Sequence, residues 1–288
     1  MRARLTEVVN VASVPLRSPF RYPGGKTWLV PRARQWLRAL PERPARLIEP
    51  FAGGGIIGLT AAFEELADEV VLVELDDDVA SVWQTILGGD GEWLVERIAA
   101  LELTRDTVRR ITGTETPSTR ARALATIVRN RINRGGILAP GAGKMKRGEN
   151  GNGLASRWYP ETLCRRIRDI TARRERIHFI HGDGLEVMAR SAADPDTAHF
   201  IDPPYTAAGR RLYRHSEIDH RALFALTAAA RGPFLMTYDR SDEILSLADE
   251  HGFAVAEIAM KTTHHSRKLE LFIARDLDWL AEPALPLG

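Results

Sequence analysis

A chain of 288 residues, 44% hydrophobic and 27% charged, has the composition of a globular protein. It is long enough for one large α/β domain carrying an insertion, or for two smaller domains. No apolar run could cross a bilayer, and Glu7, Asn10 and Arg17 interrupt any N-terminal signal core, so a cytoplasmic protein is expected.

In chain order, ARLIEPF (45–51) and EVVLVEL (69–75) read as strands separated by the helical IIGLTAAFEELA (56–67). RIHFIHGD (176–183), HFIDPP (199–204) and PFLMTYD (233–239) continue the series, with the helical HRALFALTAAA (220–230) before the last. Strands alternating with helices predict a parallel sheet covered on both faces. FAVAEIAM (253–260) and LELFIAR (269–275) flank a polar stretch and predict an antiparallel pair at one edge of that sheet. Between residues 91 and 172 the strand rhythm disappears. Helical patterns occur there beside the glycine-rich GILAPGAGKMKRGENGNG (136–153). The region reads as an insertion, which divides the α/β domain into 1–90 and 173–288.

The net charge of +2 is unevenly distributed. Arg120 to Arg176 holds 15 Lys/Arg against 4 Asp/Glu, so the rest of the chain is acidic. Such a block is either a polyanion-binding surface or a solvated helical face. Cys164 stands alone, which excludes an internal disulfide and a cysteine-rich metal site; a small core or surface role is expected. His178 and His181 fall on opposite faces of a strand, and His264 and His265 have no acidic neighbour, so no metal site is expected. Trp28, Trp36 and Trp83 fit helix-packing positions.

In LIEPFAGGGIIG (47–58), Gly53, Gly55 and Gly58 match a G-x-G-x-x-G turn between strand and helix. Such a turn lets a ligand approach the backbone, and the helix N-terminus offers free N–H groups. Glu74, about 20 residues on, is placed to accept hydrogen bonds from both ribose hydroxyls of a nucleoside, or is a solvated strand end. The spacing suits a dinucleotide or S-adenosylmethionine. Glu49 beside the loop would repel a pyrophosphate and suit a cationic methionine end, which favours the latter.

DPPY (202–205) should lie at the C-terminal edge of the same sheet, where open α/β sheets bind ligands. Adenine's 6-amino group is a poor nucleophile because its lone pair is delocalised into the ring. Acceptors aimed at its two hydrogens would localise that pair. Asp202 supplies one and the Pro203 carbonyl the other, while Tyr205 offers a ring face for an extruded base.

RYPGGK (21–26), EPFAGGG (49–55) and DPPY, in this order and spacing, resemble the Dam-like DNA adenine methyltransferases over nearly the whole chain, Phe20 to Ile273. NRINRGGI (130–137) and DPPYTAAGRRLY (202–213) are similar to a branch of prokaryotic and phage site-specific adenine methylases. The resemblance implies a Rossmann-like S-adenosylmethionine-dependent methyltransferase sheet with an inserted, mainly helical DNA-recognition region. It places Tyr22 and Lys26 at the cofactor, Lys26 near its carboxylate, together with Glu49, Phe51, Gly53 and Gly55 of the glycine motif. Glu74 takes the ribose-binding position, where aspartate is more usual, and Asp183 resembles the acid at the cofactor's adenine amine. Asp183 also suits a simple turn before Gly184. Asp202 would orient the target amine close to the methyl donor.

The insertion would then read double-stranded DNA. Arg129, Arg131 and Arg134 lie there with Lys144, Lys146 and Arg147; base reading is assigned to Arg131 and Arg134, and phosphate attraction to the three after them. A monomer is expected, alone or serving beside a cognate restriction enzyme. Three alternatives stand: a cytosine N4-methyltransferase, a nicotinamide-dependent oxidoreductase, and a nucleic-acid-binding protein without catalysis.

Overall fold

The structure, a computed structural model, describes residues 3–5, 14–21, 26–113, 118–145, 153–204, 218–261 and 267–281. Its described strands are β1 (Ala3–Leu5), β2 (Arg46–Glu49), β3 (Glu69–Glu74), β4 (Ile177–His181), β5 (Thr197–Ile201), β6 (Phe234–Asp239), β7 (Ala254–Lys261) and β8 (Arg267–Ala274). They form one sheet in the order β1-β7-β8-β6-β5-β2-β3-β4. The strands expected from sequence all form. β1 was not anticipated: it is three residues long and pairs parallel with Ala256–Ile258.

From β2 the sheet grows outward through β3 and β4 on one side and through β5 and β6 on the other, all in parallel. This reversal between β2 and β5 is a Rossmann-like switch point, where a crevice opens beyond the carboxyl ends of the strands. The burial of every residue of β5 reflects helices on both faces.

The antiparallel pair forms over eight residues, from Ala254 opposite Ala274 to Lys261 opposite Arg267. It does not end the sheet as expected. β8 lies inside, antiparallel to both β6 and β7, and β1 closes the far side of β7. Leu271, Phe272 and Ile273 are fully buried, and an edge strand would leave such a run half-covered.

Helix α1 (Val30–Ala39) precedes β2, and α2 (Ile56–Phe63) follows it. α3 (Asp77–Thr85) follows β3; the Asp76 side chain accepts from the N–H groups of Asp78 and Val79, which supplies partners for donors a helix start otherwise leaves open. The region 91–172 is mainly helical, with α4 (Gly91–Ala99), α5 (Arg105–Thr112), α6 (Thr119–Ile132) and α7 (Pro160–Thr171). Leu94, Ile98, Ile127 and Ile167 join the buried cluster that contains Leu47, Val70 and Leu72 of the sheet. Helices α4, α6 and α7 therefore share the main core, while Val108 of α5 packs with Val128 and Ile132 in a smaller cluster. Cys164 is buried within the main core. Beyond β4, β5 and β6 lie α8 (Gly184–Ser191), α9 (His220–Ala229) and α10 (Asp242–Glu250).

Candidate active site

The glycine turn leaves the end of β2 and enters α2. Gly55 sits at φ +61°, and a Cβ there would stand 3.1 Å from the Trp83 ring, so both backbone and packing call for glycine. The Trp83 indole N–H donates to the Gly53 carbonyl at 3.0 Å from a fully buried position. Trp83 is thus a packing residue, as its spacing indicated, and also the anchor of the loop. Phe51 packs partly buried against the cluster of Met188 and Ile201.

Two acids serve this turn. Glu74 Oε2 accepts from the Gly53 N–H at 2.9 Å, and Oε1 accepts from the N–H groups of Leu75 and Asp76, each at 2.9 Å. Desolvation, with the Asp76 charge adding to it, outweighs these bonds and pushes the Glu74 carboxyl up to about 7. Glu49 is buried and accepts from the Gly58 N–H in the first turn of α2 at 2.8 Å. Burial, increased by the nearby Asp202 charge, pushes its carboxyl up to about 8. The expectation of a fixed negative charge beside the loop is corrected accordingly: at neutral pH Glu49 is largely protonated until a cation approaches.

Asp183 follows β4, and its Oδ1 accepts from the Leu185 N–H at 2.7 Å, which caps α8. The turn role foreseen for it is present. The Gly182 N–H bonds the Glu74 carbonyl at 3.0 Å, so Asp183 stands beside the Glu74 turn.

Asp202 comes directly after β5, the neighbour of β2. Its Oδ1 accepts from the Thr237 hydroxyl of β6 at 2.8 Å and pairs with Lys26 Nζ at 3.1 Å. Lys26 also bonds Glu270 of β8. Burial of the ammonium favours its neutral form, but the Asp202 and Glu270 carboxylates prevail and raise its pKa, so Lys26 stays charged. Where cofactor-carboxylate contact was expected, Lys26 is engaged with two protein carboxylates. Pro203, the next residue, is buried. Tyr22 and Tyr205 lie outside the described residues.

Sequence reading missed Glu270 and Thr237. In LELFIAR, Glu270 looks like the solvent-facing residue of an edge strand; only the inward insertion of β8 turns it onto Lys26. Its 1% exposure makes it part of the site's interior.

The basic segment disperses. Arg129 contacts Asp78 at 3.4 Å and the Thr112 carbonyl at 3.4 Å. Arg131 is corrected as a base reader: it is buried and its guanidinium donates to the Pro19 carbonyl at 2.7 Å. Desolvation, with Arg166 and Arg21 nearby, lowers its pKa to about 9. Arg134 and Lys144 are exposed. Lys144, Arg129, Arg122, Asp77 and Asp78 line a groove of about 760 Å³. Lys146 and Arg147 lie outside the described residues.

No protein-family model and no curated protein matches the sequence. Among solved structures, the chain is similar to the rRNA methyltransferase aviRa from Streptomyces viridochromogenes, with 13% identity and a TM-score of 0.38 over 93% of this chain and 94% of that one. It is also similar to precorrin-6y C5,15-methyltransferase from Geobacter metallireducens GS-15, with 10% identity and a TM-score of 0.37 over 86% of each chain. At such TM-scores neither likeness carries an argument. The fold class rests on strand order and direction. The sheet is Rossmann-like, with an antiparallel strand inserted beside its last parallel one.

Proposed function

We propose that this protein is a DNA methyltransferase that transfers a methyl group from S-adenosylmethionine to the 6-amino group of an adenine turned out of the duplex. The observation that carries the reading is the position of Asp202 and Pro203. They leave β5 at the switch point, beside the strand whose end bears the glycine turn.

The residues fit the cofactor by the chemistry of their acceptors. Glu74 is held at the glycine turn with lone pairs beyond its three N–H bonds, suited to ribose hydroxyls. Asp202 favours a cationic ligand, and Glu49, largely protonated in the free protein, can ionise beside one. A pyrophosphate would meet Asp202 and Glu270, whose two charges exceed the one on Lys26. This disfavours the nicotinamide alternative.

S-adenosylmethionine, when bound, would supply an electrophilic methyl whose bonding electrons stay with the departing sulfur. Asp202 accepts a hydrogen bond from the target amine and, with the Pro203 carbonyl, turns the nitrogen lone pair toward that methyl as the carbon–nitrogen bond forms. Lys26 and the Thr237 hydroxyl hold the carboxylate in one orientation. The proton released from nitrogen passes to Asp202 or to water. Tyr205 would stack on the base, Asp183 would meet the cofactor's adenine, and Arg134 and Lys144 would contact the duplex.

The test is to incubate purified protein, S-adenosylmethionine and mixed-sequence duplex DNA, then locate and identify the modified base. Methyladenine at one sequence is the expected result. Methylcytosine would move the assignment to the cytosine alternative, and DNA left unmodified would refute the reading.

A further inference from the structure

The exposed basic turn is tied to the backbone just ahead of the proposed cofactor motif, largely through one side chain. Asn130, in the last turn of α6, has no exposed surface. Its Oδ1 accepts from the Arg21 N–H at 2.8 Å. Its Nδ2 donates to the carbonyls of Arg21 at 2.7 Å and Gly136 at 2.8 Å. Arg131 donates to the Pro19 carbonyl at 2.7 Å, and Arg166 of α7 to the Ser18 carbonyl at 3.3 Å. Gly136, at φ +78°, approaches so closely that a Cβ would come within 2.1 Å of the Arg21 carbonyl oxygen. Any side chain there would force the two backbones apart.

The same turn is stitched to Lys144. The Arg134 N–H donates to the Gly143 carbonyl at 2.9 Å, the Met145 N–H donates to the Ile132 carbonyl at 2.9 Å, and Asn133 bridges Lys144. Arg134, Lys144 and the Arg21 backbone therefore belong to one hydrogen-bonded unit. Five residues after Arg21 comes Lys26, whose ammonium pairs with Asp202.

We propose that Asn130 is a positioning residue that couples DNA engagement to cofactor binding. Contacts made by Arg134 and Lys144 restrain their turn, and Asn130 carries that restraint to the Arg21 backbone, five residues before Lys26. The amide's two N–H hydrogens and its oxygen all bond main chain, so the turn cannot shift without moving Arg21 or breaking a buried bond. Binding linkage is reciprocal: if duplex tightens the cofactor, the cofactor tightens duplex by the same factor. The inference rests on the DNA methyltransferase reading.

The experiment measures S-adenosylmethionine affinity with and without a duplex that the wild-type protein methylates. Duplex should tighten the cofactor about fivefold or more in wild type and by a factor of about one in Asn130→Ala. In that variant, cofactor affinity without DNA should change less than the coupling factor does. A folded Asn130→Ala protein that keeps the wild-type factor overturns the proposal. If the variant does not fold, hydrogen exchange in the wild-type protein reads the same tie. The Arg21 amide should become more protected on adding duplex alone, and unchanged protection overturns the coupling. Methylation with a wild-type factor of one removes the coupling and leaves the function; absence of methylation removes both.

Discussion

Two charge-rich regions of this chain meet opposite fates. At the ends of β2, β3 and β5, Glu49, Glu74 and Asp202 converge on one edge of the sheet, where Lys26 and Glu270 join them. Along α6 and the turn after it, Arg129, Arg131, Arg134 and Lys144 go separate ways: one to an acid, one into the interior, two to solvent. Parallel strands end at the same edge, so a strand-end acid has its place set by topology. A guanidinium on a long flexible stem has no such constraint, and its direction depends on what packs against the helix.

Breaking the convergent region at its centre should have the largest effect. Asp202→Ala should lower methyl transfer on the order of a hundredfold or more by removing the acceptor that orients the amine. Thermal unfolding should remain cooperative, because Lys26 keeps Glu270 as a partner. Single-turnover methylation measures the loss, and near-wild-type turnover would exclude Asp202 from the chemistry.

The dispersed region makes a sharper claim, since two arginines three residues apart should fail in different assays. Arg131→Ala leaves the Pro19 carbonyl without its donor and should lower stability by about 1–3 kcal/mol in denaturant unfolding. Arg134→Ala should change stability by less than about 0.5 kcal/mol. It should instead cost about 1–3 kcal/mol of binding at the cognate duplex and relax the preference at one base pair. Equal stability losses from the two changes would erase the distinction between strut and reader.

This contrast also marks what was legible in the sequence. Strand-forming runs such as EVVLVEL announce themselves through continuous β-branched and apolar residues, and the strand-end motifs inherit positions from them. The place of β8 was not legible, because strand order depends on which faces find cover, and so Glu270 was missed. Arg131 was misread because a run of arginines does not record which neighbour offers an unpaired carbonyl. Asn130 gave a fainter signal: a polar residue within a helix whose neighbours Ile127, Val128 and Ile132 are buried.

The carboxylates also tie the convergent region to pH. A cationic ligand near Glu49 favours its ionised form, so its binding should expel a proton from Glu49, which stands at about 8 in the free protein. Cofactor affinity should therefore rise from pH 6 to pH 8, by at most about tenfold per pH unit for each proton released. Calorimetric titration in buffers of different ionisation enthalpy counts those protons. The stability of the free protein runs the other way. With a folded value raised above the ordinary 4.5, the contribution of Glu49 is full below 4.5 and is lost as pH rises through about 8. Glu49→Gln should flatten both trends, and a variant with wild-type pH dependence would place the titrating group elsewhere.

The smallest expected effect tests whether the dispersed cations still act as a surface. Lys144 is exposed at the rim of the groove that Arg129 and Asp78 share, where it can meet a phosphate and forms no salt bridge with an acid among the described residues. Lys144→Ala should weaken cognate and unrelated duplexes alike, because a phosphate contact carries no base information. One lost contact should reduce the log–log salt slope of DNA affinity by roughly 0.9. Extending the change to Lys146 and Arg147 should flatten the slope further, in proportion to the contacts each makes. A salt titration on matched and mismatched duplexes separates this from Arg134→Ala, which should alter the preference between them. If the triple change leaves affinity and slope untouched, this basic block is a solvated face and the duplex must approach the Asp202 edge from another side.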